Sequence, residues 1–217
     1  MERIEINHLH VSFGEEKILK DICHSFEAGK IHGIVGNNGS GKTVLFKCIC
    51  GLIIPSGGTV SIDGRIIGKD LDFPRSLGCL IENPGFLPGY SGFNNLRFLA
   101  SIKNTIGKDK IIESIKEVGL DPYEKKHVEK YSLGMKQRLG IAQALMEDPE
   151  LLILDEPLNG LDKNGSAEIK KMLKTYKNDK RIILITSHNA IDIEELCDTV
   201  SEMDNGVLTA NNTTVLE

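Results

Sequence analysis

The sequence predicts an α/β domain with a mostly parallel core sheet, an N-terminal antiparallel β subdomain and an inserted helical lobe. Three observations predict it. "ELLILDEP" and "RIILITSH" are short, continuously apolar runs of the kind buried on both faces of a parallel sheet. A glycine-rich stretch, "GNNGSGKT" (Gly36 to Thr43), joins an apolar strand-like run to a helix-compatible one. From about residue 85 to residue 146 the apolar residues change to a 3.6-residue period.

Taken in order, "RIEINHLHVSF", "KILKDICHSF" and "KIHGIV" read as strands, with "EAGK" a tight turn before the third. "KTVLFKCICGL" places Leu45, Phe46 and Ile49 at helical spacing and stops at Gly51. "PSGGTVSIDGRII" reads as one strand bounded by turns. The lobe holds three helical segments, "NNLRFLASI", "KIIESIKEVGL" and "MKQRLGIAQALM". After "ELLILDEP" come a helix from about Lys163 to Tyr176, the strand "RIILITSH", and a helix from Ala190 to Leu196. "TVSEMDNGVLTANN" contains an Asn205-Gly206 hairpin turn.

A chain of 217 residues with 40% hydrophobic content suffices for one substantial core and not for two large domains. The expectation is a single unit over 1–217, with a catalytic core of about 1–84 and 147–217 and a lobe of about 85–146. A formal net charge of −5 with no basic block argues against nucleic acid as a partner. No apolar run approaches the roughly 20 residues of a membrane span, and the start shows no secretory pattern, so a cytoplasmic location is expected. Five cysteines without a CxxC pair read as buried free thiols, and the six histidines form no visible ligand cluster, so no zinc is expected.

Gly36-x4-Gly41-Lys42-Thr43 is the P-loop pattern in its proper strand-to-helix context. Glycines let successive backbone N–H groups converge on phosphate oxygens, and the helix start adds partial positive charge. Lys42 is expected to reach the β and γ phosphates, and Thr43 to offer its hydroxyl to Mg²⁺. Asp155 and Glu156 end an apolar strand, where doubly wound sheets gather their ligands. Asp155 suits a Mg²⁺ contact as a hard oxygen ligand, and Glu156 can orient or deprotonate an attacking water. Ser187 and His188 end the next strand, making His188 a contact for the γ phosphate or that water.

Together these stretches resemble the nucleotide-binding subunit of ABC transporters. "GNNGSGKT" is similar to Walker A, "YSLGMKQRLGIAQAL" to the signature motif and its helix, "LLILDEP" to Walker B, "LNGLD" to the D-loop and "ITSH" to the switch histidine. The resemblance implies ATP hydrolysis, with Mg²⁺, by a head-to-tail dimer of two ABC subunits, identical or different. Each nucleotide would lie between one subunit's Gly36, Asn37, Asn38, Gly39, Ser40, Gly41, Lys42, Thr43 and Val44 and the other's Ser132 and Gly134. It also implies a cross-dimer role for Asp162, and adenine stacking on Phe13, for which a core Phe in a strand is the alternative.

Three departures stand out. Leu133 and Met135 replace the signature's usual glycine and glutamine, Val44 replaces a common second hydroxyl residue, and Glu82 stands where the family usually carries the Q-loop glutamine. Glu82 could bind Mg²⁺ or water while adding negative charge near the triphosphate. "YSLGMKQRL" with "IENPGFLP" resembles bacterial exporters of the bacitracin and lantibiotic self-protection kind. With no membrane segment of its own, such a subunit implies a separate multi-span permease, docked near Glu82 to Leu96 and holding the chain at the inner face of the membrane. Alternatives are a non-transport ABC ATPase of DNA maintenance or the ribosome, and a weakly hydrolysing regulatory subunit.

Overall fold

In a computed structural model, which describes residues 1–211, the chain forms two sheets that share helix α1 (Lys42–Ile49) between them. The first sheet is antiparallel, in the order β2 (Glu16–Glu27), β1 (Arg3–Phe13), β4 (Gly57–Ile62), β5 (Arg65–Ile66). The segment expected as one strand, "PSGGTVSIDGRII", is thus two, because Asp63 and Gly64 both take left-handed backbone and turn the chain. The second sheet runs β10 (Val207–Asn211), β9 (Thr199–Asp204), β3 (Lys30–Val35), β8 (Ile182–Ser187), β7 (Leu151–Leu154), β6 (Leu77–Leu80). All its pairs are parallel except β9 with β10, which turn at Asn205-Gly206 as expected. Asn212, the last residue of that quoted run, lies outside the described residues.

Two-residue alternation explains why the core strands are apolar throughout. In β7, Leu151 and Ile153 join the core facing α1 and the antiparallel sheet, while Leu152 and Leu154 join the core facing the helices. In β8, Ile182 and Leu184 face the first core and Ile183 and Ile185 the second. Each such side chain contributes about 1.5–3 kcal/mol by burial, so a polar residue in either strand must have a reason to be there. The first polar residue of β8 is Thr186, next to the strand's last residue, and it is fully buried.

The helices of the lobe are α2 (Gly92–Lys103), α3 (Lys108–Glu117) and α4 (Leu133–Leu145), with a 3-10 turn at Val128–Lys130. The helices α5 (Lys163–Tyr176) and α6 (Ala190–Leu196) follow β7 and β8. None of the described helices is long and apolar enough to cross a membrane.

The expectation of uniformly buried thiols is corrected at Cys23, which is exposed, and at Cys79, which is half-buried. The cause at Cys23 is a change of strand parity. In β1 the core side chains run Ile4, Ile6 and then Leu9, Val11, and the extra residue is taken up by a bulge at which His8 adopts a φ of 48°. Asp21 on β2 does the same with a φ of 53°. The bulge gathers His8, Asp21 and Cys23 on an exposed surface, a ligand grouping that is not visible in the sequence.

Candidate active site

Parallel pairing brings three strand ends to one edge of the sheet. Val35 pairs with Ser187, Ile185 with Leu154, and Leu154 with Leu80, so Gly36, Asp155 and His188 leave the sheet together. Between them lies a cleft of about 380 Å³ whose lining includes Asn38, Gly39, Ser40, Lys42, Asp155 and Glu156.

The glycine loop turns into α1 at Gly41, with a φ of 113°. A Cβ there would sit 2.8 Å from Leu19 Cδ2 of the antiparallel sheet, so only glycine fits both the turn and the packing. Lys42, although buried, is satisfied by loop carbonyls: its Nζ donates to Gly36 O at 2.6 Å and Asn37 O at 3.1 Å. Asn37 O also accepts from Ser40 N. Thr43 Oγ1 donates to Asp155 Oδ2 at 2.6 Å, joining the two motifs. Val44 lines the same cleft from the first turn of α1.

Asp155 is buried, and its other oxygen, Oδ1, accepts from Thr186 Oγ1 at 2.5 Å. That threonine oxygen in turn accepts from Glu156 N at 2.9 Å, which fixes the turn out of β7. Glu156 takes left-handed backbone, φ 51°, and its carbonyl accepts from Gln137 Nε2 of α4 at 3.0 Å. Its Oε2 lies 2.9 Å from His188 Nδ1 and accepts from His188 N. A carboxylate only accepts, so Nδ1 carries the proton in this contact. Glu156 Oε1 and Ser40 Oγ are buried with no hydrogen-bond partner among the described residues. Lys42 Nζ is 3.9 Å from that Glu156 oxygen, close enough for attraction but too far for a hydrogen bond. Orphaned acceptors and donors of this sort are rare unless a ligand meets them.

Donors and acceptors around the cleft therefore suit a phosphate chain with a hard cation. The loop offers N–H groups and an ammonium, while Thr43 and Asp155 offer hard oxygens. Glu82 is not brought to this set: its Oε1 receives Lys47 Nζ at 2.6 Å, on an ion pair between α1 and the loop after β6. Phe13 is 54% exposed at the tip of the β1–β2 hairpin, so it is no core residue.

Ser132, Gly134 and Asp162 lie outside the cleft lining. Ser132 caps α4, its Oγ accepting from Met135 N at 3.2 Å. Leu133 is the first helical residue and avoids positive φ, so replacing a glycine there costs no backbone strain. Its side chain packs over Gly160, whose φ of 74° and lack of Cβ make room for it. Leu133 remains 63% exposed. Asp162 caps α5, its Oδ1 accepting from Gly165 N at 2.8 Å.

Sequence reasoning missed Thr186, Gln137 and Lys47. Thr186 carried a signal, being a hydroxyl that follows an apolar run while still inside the strand; the other two carried none, since each meets its partner across a long stretch of chain.

The family model described as "ABC transporter" matches residues 19–159. An uncharacterized ABC transporter ATP-binding protein, YybJ of Bacillus subtilis, is 44% identical over 205 residues, 94% of each chain. The bacitracin transport ATP-binding protein BcrA of Enterococcus faecalis is 39% identical over 207 residues, 94% of this chain and 67% of its own. Among solved structures, the dimeric MJ0796, a bacterial ABC transporter cassette, superposes with a TM-score of 0.84 at 22% identity, over 94% of this chain and 96% of that one.

Proposed function

Because the chain belongs to the ABC transporter family as an ATP-binding subunit with ATPase activity, we propose that it hydrolyses ATP in a head-to-tail dimer to drive a separate membrane permease. The proposed task is export of, or self-protection against, an antimicrobial peptide or drug. The observation that carries the reading is the pair of orphaned polar atoms, Ser40 Oγ and Glu156 Oε1, lining one cleft with Lys42 and the Thr43–Asp155 contact. BcrA, by its name a bacitracin transport protein, supports the substrate class.

In the proposed mechanism the loop N–H groups from Gly36 to Thr43 hold the triphosphate, and Lys42 exchanges its two carbonyl partners for phosphate oxygens. Thr43 and Asp155 would hold Mg²⁺, which neutralises charge on the β and γ phosphates. Glu156 Oε1 takes the proton of a water whose oxygen attacks the γ phosphorus, as the bond from phosphorus to the bridging oxygen breaks and ADP leaves. His188 holds the other carboxylate oxygen, so the base has one fixed and one free edge. Ser132 and the Gly134 N–H, at the start of α4, would complete the triphosphate's coordination from a facing copy, with Asp162 crossing the same interface. Phe13 would stack on the adenine.

The unit is taken as 1–217, with catalytic elements in about 1–84 and 147–217 and a lobe of about 85–146. On that lobe Leu87 and Tyr90 are about half exposed, whereas Phe86 and Phe93 pack against the core. This exposed face, between Glu82 and Leu96, is the proposed permease seat; through it the chain would be held at the membrane. Purified protein should show Mg²⁺-dependent ATPase activity, and Glu156→Gln should abolish it while trapping an ATP-bound dimer. A wild type that stays inert even with its permease would instead support a regulatory subunit.

A further inference from the structure

The bulge shared by β1 and β2 assembles donors that the nucleotide chemistry does not use. His8 Nδ1 lies 2.7 Å from Asp21 Oδ1, and the donor atoms of His8, Asp21 and Cys23 all fall within 4.8 Å of one another. None of the three lines the phosphate cleft. We infer that this trio binds a divalent transition-metal ion of the zinc class, at a site separate from the Mg²⁺ of the nucleotide.

One sulfur, one imidazole nitrogen and one carboxylate oxygen form a mixed set that suits zinc and disfavours Mg²⁺ or Ca²⁺, which want several oxygens. Bonds of about 2.0–2.3 Å in a tetrahedron put ligand atoms roughly 3.5 Å apart, so the trio needs only side-chain adjustment to close. Both His8 and Asp21 take left-handed backbone where their side chains meet across the strand pair. Supporting contacts are already in place. His8 N donates to Cys23 Sγ at 3.3 Å, which holds the sulfur against the bulged backbone. Asp21 N donates to His10 Nδ1 at 3.2 Å, so the His10 proton sits on Nε2, which is 3.7 Å from Asp21 Oδ1. At that distance His10 makes no hydrogen bond to the carboxylate and supplies no fourth ligand, and the fourth position faces solvent. The rival account is an ordinary surface ion pair: the side chains of His8 and Asp21 are 75% and 62% exposed, and such pairs contribute little.

Cobalt discriminates between the two. Titrating the full chain, free of nucleotide, with Co²⁺ should give a thiolate-to-metal charge-transfer band that saturates at one ion per chain and is displaced by Zn²⁺. Cys23→Ser should abolish the band, and His8→Ala and Asp21→Asn should each weaken binding at least tenfold, whereas Cys50→Ser and Cys79→Ser should leave it unchanged. All three ligands are on the surface, so unchanged thermal unfolding of the metal-free variants will show that they fold. Zinc should also raise the melting temperature of the wild type and not of the Cys23→Ser variant. No band in the wild type, a band that survives Cys23→Ser, or equal zinc affinity in the wild type and the triple variant overturns the site.

Discussion

Lys47 Nζ lies 2.6 Å from Glu82 Oε1, so the carboxylate in the loop after β6, where the resemblance expects a glutamine, is held by α1, the helix that opens at the phosphate loop. The contact neutralises a charge that would otherwise repel a triphosphate. Both ends are partly exposed, 28% and 63%, so the pair is worth about 0.2–1 kcal/mol at most, or less than roughly fivefold in a rate. Lys47→Ala should lower kcat within that range with little change in melting temperature, and adding Glu82→Gln should restore it. A double-mutant cycle on Mg²⁺-ATPase activity measures this; if the double variant stays as slow as the single, charge at Glu82 is not the reason.

Thr186 bridges the two acidic residues, donating to Asp155 Oδ1 and accepting from Glu156 N. Thr186→Val keeps the shape and removes both bonds inside a fully buried site. Leaving those groups unsatisfied costs about 1–3 kcal/mol, and loosening an outer partner of the proposed metal ligand should lower turnover by roughly 10–100-fold. Thr186→Ser should recover most of the activity. Calorimetry and single-turnover hydrolysis read the two effects independently.

Ser132 has two jobs that can be separated. Its Oγ caps α4 within the chain, and under the proposed dimer it also meets the facing nucleotide. Ser132→Ala should cost about 1 kcal/mol of stability through the cap and lower hydrolysis much further, with ATP binding to the monomer unaffected. Ser132→Asn keeps a capping oxygen, so stability should return while hydrolysis does not. Recovery of both in the Asn variant would leave the hydroxyl with the cap alone.

Histidine 32 sets an acid limit. It is buried between β3 and β9; Nε2–H donates to Glu27 O at 2.8 Å, and Nδ1 lies 2.7 Å from Thr199 Oγ1, a hydroxyl that can donate to it when the ring is neutral. Burial is the main cause that pushes its pKa below the ordinary 6.5. The unfolded chain then binds more protons than the folded one at pH values between the lowered pKa and 6.5, so stability is complete above 6.5 and is lost as the pH falls through that window. His24 is shifted the same way, also by burial, and adds to the effect. Melting temperature should drop on acidification below pH 6.5, and a His32→Gln variant, which cannot charge, should show a shallower slope.

The phosphate loop, the acids after β7 and the histidine after β8 are legible in the sequence because local pattern fixes each: a glycine spacing, or a polar residue ending an apolar run. The parallel register then brings them together without further information. What stays hidden is pairing across distance. Lys47 and Glu82 meet across 35 residues, and His8 with Asp21 only after a bulge shifts β1 by one position. β6 escapes because "LGCL" is too short to show a period, and it gains strand form only by pairing with β7. The turn at Asp63-Gly64 falls inside a run whose apolar pattern reads as one strand, although its residues are typical turn formers.

Phe13 gives the cleanest test of nucleotide recognition, because it contributes little to the core. It ends β1 at the hairpin with β2, pairs with Glu16, and leaves more than half its ring surface in solvent at 54% exposure. Glu16 and Ile18, just beyond the turn, line the phosphate cleft, so the hairpin that carries Phe13 borders it. An aromatic stacked on a base is worth about 1–3 kcal/mol. Phe13→Ala should therefore weaken ATP binding by roughly 5- to 150-fold and raise KM with kcat nearly unchanged. Phe13→Trp should bind as well as the wild type or better, and its fluorescence should be quenched as ATP is added. Discrimination should stay the same: because every base presents a π face, the Ala variant should lose affinity for GTP in step with ATP. Equal ATP affinity in the Ala variant and the wild type would remove the ring from the site, whatever its exposure.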